Sequence, residues 1–334
     1  MIEVVHRPRQ GLFLPEADLW LDPSSKAERA FISHAHADHV ARNRLSLCSA
    51  LTVDLIRVRY GTSKTGDQEV RALPWRTPVP WKKGWEIRLL PAGHIVGSAM
   101  LHLTRLSDGA TLLYTGDYKL RTGLTAEPCE LMPADTLIME TTFGLPRYVF
   151  PPLQTTIESV LQFVEETFAE GRLPLLLGYS LGKAQEILAI LHQGRHPVMC
   201  HDSILKLMPL LQVLPGMPEC RPFDANSAQD HVLVFPPQSI RDLKLGSWTG
   251  KTRSAMLSGW ALEKSARFRY RVDAMFPLSD HADYPELWET VQTVRPRRIY
   301  TVHGHTREFA ADLRRKGWEA WSLEREDQLE LSLE

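Results

Sequence analysis

The sequence contains no CxxC pair: its four cysteines, Cys48, Cys129, Cys200 and Cys220, stand far apart. That spacing fits neither a disulfide scaffold nor a zinc knuckle, so they are expected to be reduced core residues. No apolar run approaches the length of a membrane span. The segment from Met1 to Arg7 lacks the apolar core and small-residue cleavage site of a signal peptide. A cytoplasmic protein without a membrane partner is the expectation. Net charge is also missing, since 39 Lys and Arg nearly cancel 40 Asp and Glu. The average therefore speaks neither for nor against nucleic acid, and any basic surface has to be local. There is no internal repeat and no low-complexity tract.

What is present is the profile of a globular protein with a full core. Of 334 residues, 43% are apolar and 24% charged, enough for one large domain or two of ordinary size. The first 140 or so residues alternate short apolar runs with turns. Strand-like runs are Ala30 to Ser33, Trp85 to Pro91, Thr111 to Asp117 and Thr136 to Glu140. A chemically interesting residue stands at or just past the end of each, a common place to mount a site. The texture changes near Pro146 to Pro152. Thr155 to Glu170 reads as an amphipathic helix through Ile157, Val160, Leu161, Val164 and Phe168. Leu173 to Gly178 reads as a buried strand, Gly182 to His192 as a helix, and Val198 to Cys200 and His231 to Phe235 as further strands. That alternation predicts a parallel sheet with helical crossovers. After Met275 short strands carrying histidines return. The reading is an α/β fold of a host module in two parts, 1–145 and 275–334, with an α/β module at 146–274 inserted between them.

The densest chemistry lies in His34-Ala35-His36-Ala37-Asp38-His39. If the segment is extended, alternate residues share a face, so His34, His36 and Asp38 are expected to point together and a turn at Asp38 to bring in His39. Four ligand-type side chains within six residues are far more specific than a lone histidine. They offer two nitrogens to one metal and a carboxylate with an imidazole to a second. Further candidates stand at other strand ends: His94 in a run of small residues, Asp117 after Thr115-Gly116, and His303 after Thr301-Val302. Asp22 is placed to accept a proton from a ligand imidazole and fix its tautomer. Taken singly, each is more simply a cap or turn former; their joint occurrence in this order carries the reading.

This ordered set resembles the motifs of the metallo-β-lactamase superfamily, and the remaining signals resemble its β-CASP nucleases. Leu137 to Gly144, with Glu140, looks like their motif A, and Gly182 to Leu188 like the helix of their inserted domain. Phe276 to Tyr284, with His281, looks like motif B, and Val302 to His305 like motif C. The match runs from about Asp22 to about His305. It implies a metallo-β-lactamase αββα sandwich with an inserted β-CASP α/β domain. The resemblance further implies two divalent cations, zinc first and manganese as the competitor. One is expected to be held by His34, His36, His94 and Asp117, the other by Asp38, His39, Asp117 and His303. Asp38 is expected to orient the attacking water, and His281 to protonate the leaving oxygen with Glu140 supporting its charged form. Glu at motif A and His at motif C are shared with the RNA 3′-end processing branch, whereas crosslink-repair DNA nucleases usually carry Asp and Val there. The short chain resembles the bacterial exonucleases associated with DNA ligase, which share the Glu and His pattern. Two departures are Asp280, where many relatives have Ala or Glu, and Lys183, where many have Arg.

The expected function is thus a two-metal phosphodiester hydrolase, a DNA exonuclease in end processing or repair linked to a DNA ligase. Its partner would be nucleic acid, DNA ahead of RNA. Candidate substrate contacts are Lys183 and the stretch Arg253, Lys264, Arg267, Arg269 and Arg271, interleaved with Phe268 and Tyr270. Alternation would put Arg267, Arg269 and Arg271 on one face to track phosphates; the bland reading is a solvated edge strand. Three alternatives remain. An RNA-processing endo- or exoribonuclease is permitted by Glu140 and His303. A small-molecule hydrolase of the same fold would not need Glu140 or His281. A non-catalytic scaffold would have lost ligands, and here each position is filled.

Overall fold

Two faces of the same strands explain most of the host unit. The computed structural model describes residues 1–61, 69–212, 214, 216–263 and 265–323. One sheet has six strands in sequence order: Val5–Arg7, Gly11–Leu14, Leu19–Leu21, Arg29–Phe31, Leu45–Ser49 and Glu69–Leu73. A seven-stranded sheet runs in the order Ala320–Ser322, Arg298–Gly304, Thr136–Thr141, Thr111–Tyr114, Ala99–Arg105, Trp85–Pro91 and Val79–Pro80. Side chains alternate across a strand, so each sheet offers two faces. Leu14, Leu21, Phe31 and Leu47 of the first sheet meet Leu89, Leu101, Leu112 and Ile138 of the second in one buried core. The odd-numbered partners Leu113, Leu137, Met139 and Ile299 turn to the other side. There they pack on Leu287 and Val291 of helix Tyr284–Val294 and on Phe309 and Leu313 of helix Thr306–Arg315. Helix Ala50–Tyr60 covers the first sheet along Leu45–Ser49 and Glu69–Leu73. Helix, sheet, sheet and helix make the αββα sandwich expected from the resemblance.

The host comprises residues 1–122, 127–149 and 281–334; the second unit comprises 123–126 and 150–280. The second unit is built on six strands, all parallel, in the order Cys220–Pro222, Val198–Cys200, Val232–Phe235, Leu173–Leu177, Thr252–Leu257 and Ala274–Phe276. Sheets covered on both faces read as continuous apolar runs, which is why Leu173 to Leu177 shows no alternation. Leu176 packs with Ile157, Val160, Ile187 and Leu188 of the helices Leu153–Ala169 and Lys183–Gln193. Leu175 and Leu177 turn to a second cluster with Leu233, Phe235 and Met256. In helix Lys183–Gln193 the side chain of Gln185 accepts from the Gly182 N–H, while Glu186 accepts from Leu124 N and Thr125 Oγ1. Those two polar residues cap the helix and hold the 123–126 strap.

One expectation fails here. Ala266–Tyr270 is a short helix, not an extended segment. Successive residues of a helix turn by about 100°, so Arg267, Arg269 and Arg271 do not share a face. Tyr270 packs into the core, Phe268 is exposed, and Arg271 ends the helix in the left-handed region. Lys264 lies outside the described residues. Among the described residues no helix is long and apolar enough to cross a membrane, and the four cysteines are free thiols.

Candidate metal centre

The site grows from strand ends on one edge of the host sandwich. Strand Arg29–Phe31 runs into Ser33 and His34, and strand Leu19–Leu21 into Asp22, whose φ is 41°. The Asp22 carboxylate accepts from Ser33 N (2.7 Å), Ser33 Oγ (2.5 Å), Tyr114 OH (2.9 Å) and His39 Nδ1 (2.9 Å). An ionised carboxylate only accepts, so His39 carries its proton on Nδ1 and turns Nε2 the other way. The same logic fixes His34. The Ser33 hydroxyl has one proton, given to Asp22, yet it also lies 2.9 Å from His34 Nδ1. His34 Nδ1 is therefore the donor there, and its Nε2 keeps a lone pair.

That lone pair points into a knot of nitrogens. His34 Nε2 is 3.0 Å from His36 Nδ1, which is 3.3 Å from His94 Nε2. His34, His36 and His94 form one convergent triplet, His34, His39 and Asp117 a second, and His94, Asp117 and His281 a third. Asp117 Oδ2 is 3.4 Å from His39 Nε2, 3.8 Å from His34 Nε2 and 3.9 Å from His94 Nε2. It is the carboxylate common to the second and third sets. Burial, then the neighbouring imidazoles, push His34 well below the usual histidine range, keeping it in the neutral form a metal ligand needs. Burial works against charge on Asp117 too, but His39, His281 and His34 outweigh it and hold the carboxyl well below its ordinary value. Burial would also depress His39, yet Asp117 and Asp22 raise it well above. A buried set of imidazole nitrogens converging on one carboxylate is a donor set that fits divalent cations.

The other candidates lie further out. The chain bends at His34 and Ala35 and turns at residues 37–39, so Asp38 does not share a face with His34 and His36. Its side chain is 81% exposed, with Oδ2 3.7 Å from His39 Nε2. His303 sits on the rim, its ring 5.9 Å from that of His39 and outside the convergent sets found among the described residues. A bulge puts it there. Strands Thr136–Thr141 and Arg298–Gly304 pair Glu140 with Val302 and then Thr141 with Gly304, leaving His303 as the extra residue at φ 59°. Gly304 follows at φ 74°, where a Cβ would lie 2.4 Å from the Thr142 Cα. Gly116, at φ 53°, likewise lets the Asp117 loop rest on Ser33, whose Cβ would be 2.5 Å from any Cβ at that position.

Beside the knot stands a second pair. His281 Nδ1 lies 2.9 and 3.0 Å from the two oxygens of Glu140, which is 1% exposed and also accepts from Tyr118 N at 2.8 Å and from Thr142 Oγ1. The His281 ring is 4.7 Å from the His94 ring. Arg121 adds a clamp: its Nη2 donates to the His281 carbonyl at 2.7 Å, while its main-chain N and Nη1 donate to Glu286. Ala282 N donates to Tyr118 O at 2.6 Å. The chain after Asp117 is thereby sewn to the chain carrying His281. Sequence reasoning missed Ser33, Tyr114, Thr142, Arg121 and Glu286. Only Ser33, a hydroxyl beside the first histidine, left a local signal.

The substrate candidates fall in the second unit. Lys183 is 4% exposed, its Nζ bonded to Asp280 Oδ1 at 2.8 Å and Leu278 O at 2.7 Å, so it supports that unit internally and is not presented to a phosphate. Arg267 Nε donates to Val272 O, and Arg269 and Arg271 are exposed.

Residues 266–323 match the family described as "Zn-dependent metallo-hydrolase RNA specificity domain". A "Probable DNA ligase" of Opitutus terrae is 43% identical over 97% of this chain, and the matched segment is 31% of that protein. The "DNA cross-link repair 1A protein" of Mus musculus is 24% identical over 88% of the chain and 30% of its own length. The chain thus spans about a third of the length of these curated relatives. A crystal structure of a protein of unknown function from Enterococcus faecalis V583 superposes with a TM-score of 0.58 at 12% identity, covering 90% of this chain and 79% of that one.

Proposed function

From the premise that this chain belongs to the β-CASP family of the metallo-β-lactamase fold, we propose that it is a metal-dependent nuclease, a DNA exonuclease working in end processing or repair alongside a DNA ligase. The observation that carries this reading is the His281–Glu140 pair standing against His94 and Asp117. A lactam or thioester hydrolase has no use for an extra imidazole held by its own buried carboxylate. A phosphodiester does, because its leaving alkoxide is strongly basic and needs a proton.

His34, His36, His94 and Asp117 would hold one cation, and Asp38, His39, Asp117 and His303 the other. Such cations activate water at neutral pH and offset charge gathering on the phosphate. The chain's own residues do the rest. Asp22 and Ser33 set the tautomers of His39 and His34. Asp38, the exposed carboxylate beside His39, orients the attacking water. Glu140 holds His281 by Nδ1, and His281 gives the proton of its other ring nitrogen to the departing oxygen. Water adds to phosphorus, the P–O bond breaks, and a phosphomonoester and an alcohol leave. Zinc suits the nitrogen-rich set, with manganese as the competitor.

The link to DNA rests on the relatives' names, and the link to a ligase on the Opitutus protein alone. RNA is the second reading, favoured by the description of the family matched at residues 266–323. The deciding experiment incubates purified protein with end-labelled single- and double-stranded DNA and matched RNA, under zinc or manganese, and sizes the products. Mononucleotides from DNA are expected. Internal RNA fragments would establish the second reading, and no cleavage of any substrate under either metal would overturn both.

A further inference from the structure

The second unit contains a crevice that the chemistry above leaves unused. It measures about 300 Å³ and lies outside the carboxyl ends of three neighbouring parallel strands. His201 and Asp202 follow strand Val198–Cys200, Phe223 follows Cys220–Pro222, and Phe235 ends Val232–Phe235, with Ser239 and Lys244 just beyond. The position is a topological switch point. From Val198–Cys200 the chain goes on to the edge strand Cys220–Pro222, whereas from Val232–Phe235 it crosses over to Thr252–Leu257 in the opposite direction. Open parallel sheets collect ligands at such places, because diverging connections leave a gap there.

The lining has a specific character. Phe235 is the floor, 3% exposed, with the Phe223 ring 5.6 Å away at 83° and the His201 ring 5.4 Å away at 66°. His201 is fixed: its Nδ1 accepts from Ser203 N at 3.1 Å and lies 2.8 Å from Ser203 Oγ, itself 2.7 Å from Ser180 Oγ. Accepting on Nδ1 puts the neutral ring's proton on Nε2, which has no partner among the described residues. The exposed Asp202 carboxylate and the exposed Lys244 ammonium likewise form no side-chain bond among the described residues. An aromatic floor, one donor, one acceptor and one cation thus surround a gap at the small end of ligand-pocket volumes.

We propose that this crevice binds one nucleotide unit of a single-stranded nucleic acid. The base stacks against Phe223, with its edge read by His201 Nε2 and Asp202, and the phosphate lies on Lys244. Stacking on aromatic side chains combined with a cation at the backbone is how single strands are held without strong sequence preference. The assignment rests on the nuclease reading for its choice of ligand, and it makes the inserted unit a holder of the strand as well as a scaffold.

The test reads binding without cleavage. The full chain, stripped of metal by chelator, is titrated with fluorescein-labelled ten-nucleotide single strands, and separately with unlabelled deoxynucleoside monophosphates as competitors. Phe223→Ala and Lys244→Glu are each expected to weaken strand binding about tenfold. Phe223→Tyr, which keeps the ring, should restore it, and Lys251→Glu at the other end of the sheet should change it less than twofold. Strand affinity unchanged in both loss variants overturns the proposal. So does displacement of the strand by mononucleotides that is equally insensitive to the variants, which would place the shared binding site outside the crevice. Strand binding that depends on Phe223 and Lys244 in a protein that cleaves nothing with metal restored would support the subsite and sink the nuclease reading by itself.

Discussion

His281 Nδ1 lies 2.9 and 3.0 Å from the two oxygens of Glu140, and that carboxylate is 1% exposed and also held by Tyr118 N and Thr142 Oγ1. A buried acceptor with three donors on it cannot rotate, so the imidazole it holds cannot either. The pair is a rigid device for presenting one ring nitrogen beside His94 and Asp117.

Glu140→Gln replaces that carboxylate by an amide that presents a donor where only donors are offered to it. His281→Ala removes the ring. Each is expected to lower kcat on DNA by about 100-fold or more, the usual worth of a placed general acid, while metal content by mass spectrometry stays at the wild-type value. Loss of metal from His281→Ala would show instead that the His94, Asp117 and His281 triplet is a coordination set and that the acid lies elsewhere.

Asp22 accepts four hydrogen bonds, from Ser33 N, Ser33 Oγ, Tyr114 OH and His39 Nδ1. Asp22→Asn turns an NH2 group towards one of those donors and frees the His39 tautomer. Partners of this kind are worth about 10- to 100-fold in metal affinity. Competition with a fluorescent chelator should show a loss of that size; affinity within twofold of wild type would remove Asp22 from the metal centre.

How much of this was legible in the sequence depends on distance along the chain. Leu112, Leu137 and Ile138 announce strands through local apolar pattern, and the histidines announce themselves by crowding. The turn at Asp38 was legible, but the bend at His34 and Ala35 before it was not; it breaks the alternation that presumes an extended chain and leaves Asp38 exposed. Nor was the bulge at His303, which exists only in the register between Arg298–Gly304 and Thr136–Thr141. The alternation of arginine and aromatic residues from Arg267 to Arg271 has period two, yet a five-residue helix forms there with Tyr270 anchored in the core. Tertiary packing overrides so short a pattern. Lys183 read as a phosphate contact because its partner Asp280 is 97 residues away.

That ion pair makes its own prediction. Lys183 and Asp280 have side chains only 5% and 10% exposed. Removing one member of a buried pair costs about 3–5 kcal/mol, since the other charge is stranded, whereas replacing both with apolar groups is close to neutral. Asp280→Ala should therefore lower the denaturant midpoint sharply, and Lys183→Met with Asp280→Leu should recover most of it. A single variant as stable as wild type would mean that water reaches the ammonium and that Lys183 is open to solvent after all.

Asp273 offers a pH test in the second unit. Burial would raise its carboxyl, but bonds from Ser254 N at 2.7 Å and Ser254 Oγ at 2.9 Å, with Arg172 and Arg267 nearby, outweigh that and hold it below the usual 3.8. A depressed carboxylate stabilises the fold above its unfolded value, and that contribution is lost as pH falls through the folded one. Because Ser254 belongs to strand Thr252–Leu257 and Asp273 directly precedes strand Ala274–Phe276, the loss should loosen one edge of the parallel sheet. Asp273→Asn, which stays neutral, is expected to melt below wild type at pH 7. The gap should begin to narrow below about 3.8, where the unfolded chain's carboxyl takes up its proton, and narrow further as the pH falls towards the lower value of the folded one. Thermal melts from pH 7 down to pH 3 measure it, and a gap that stays constant across that range would show that the Ser254 bonds do not depend on the charge.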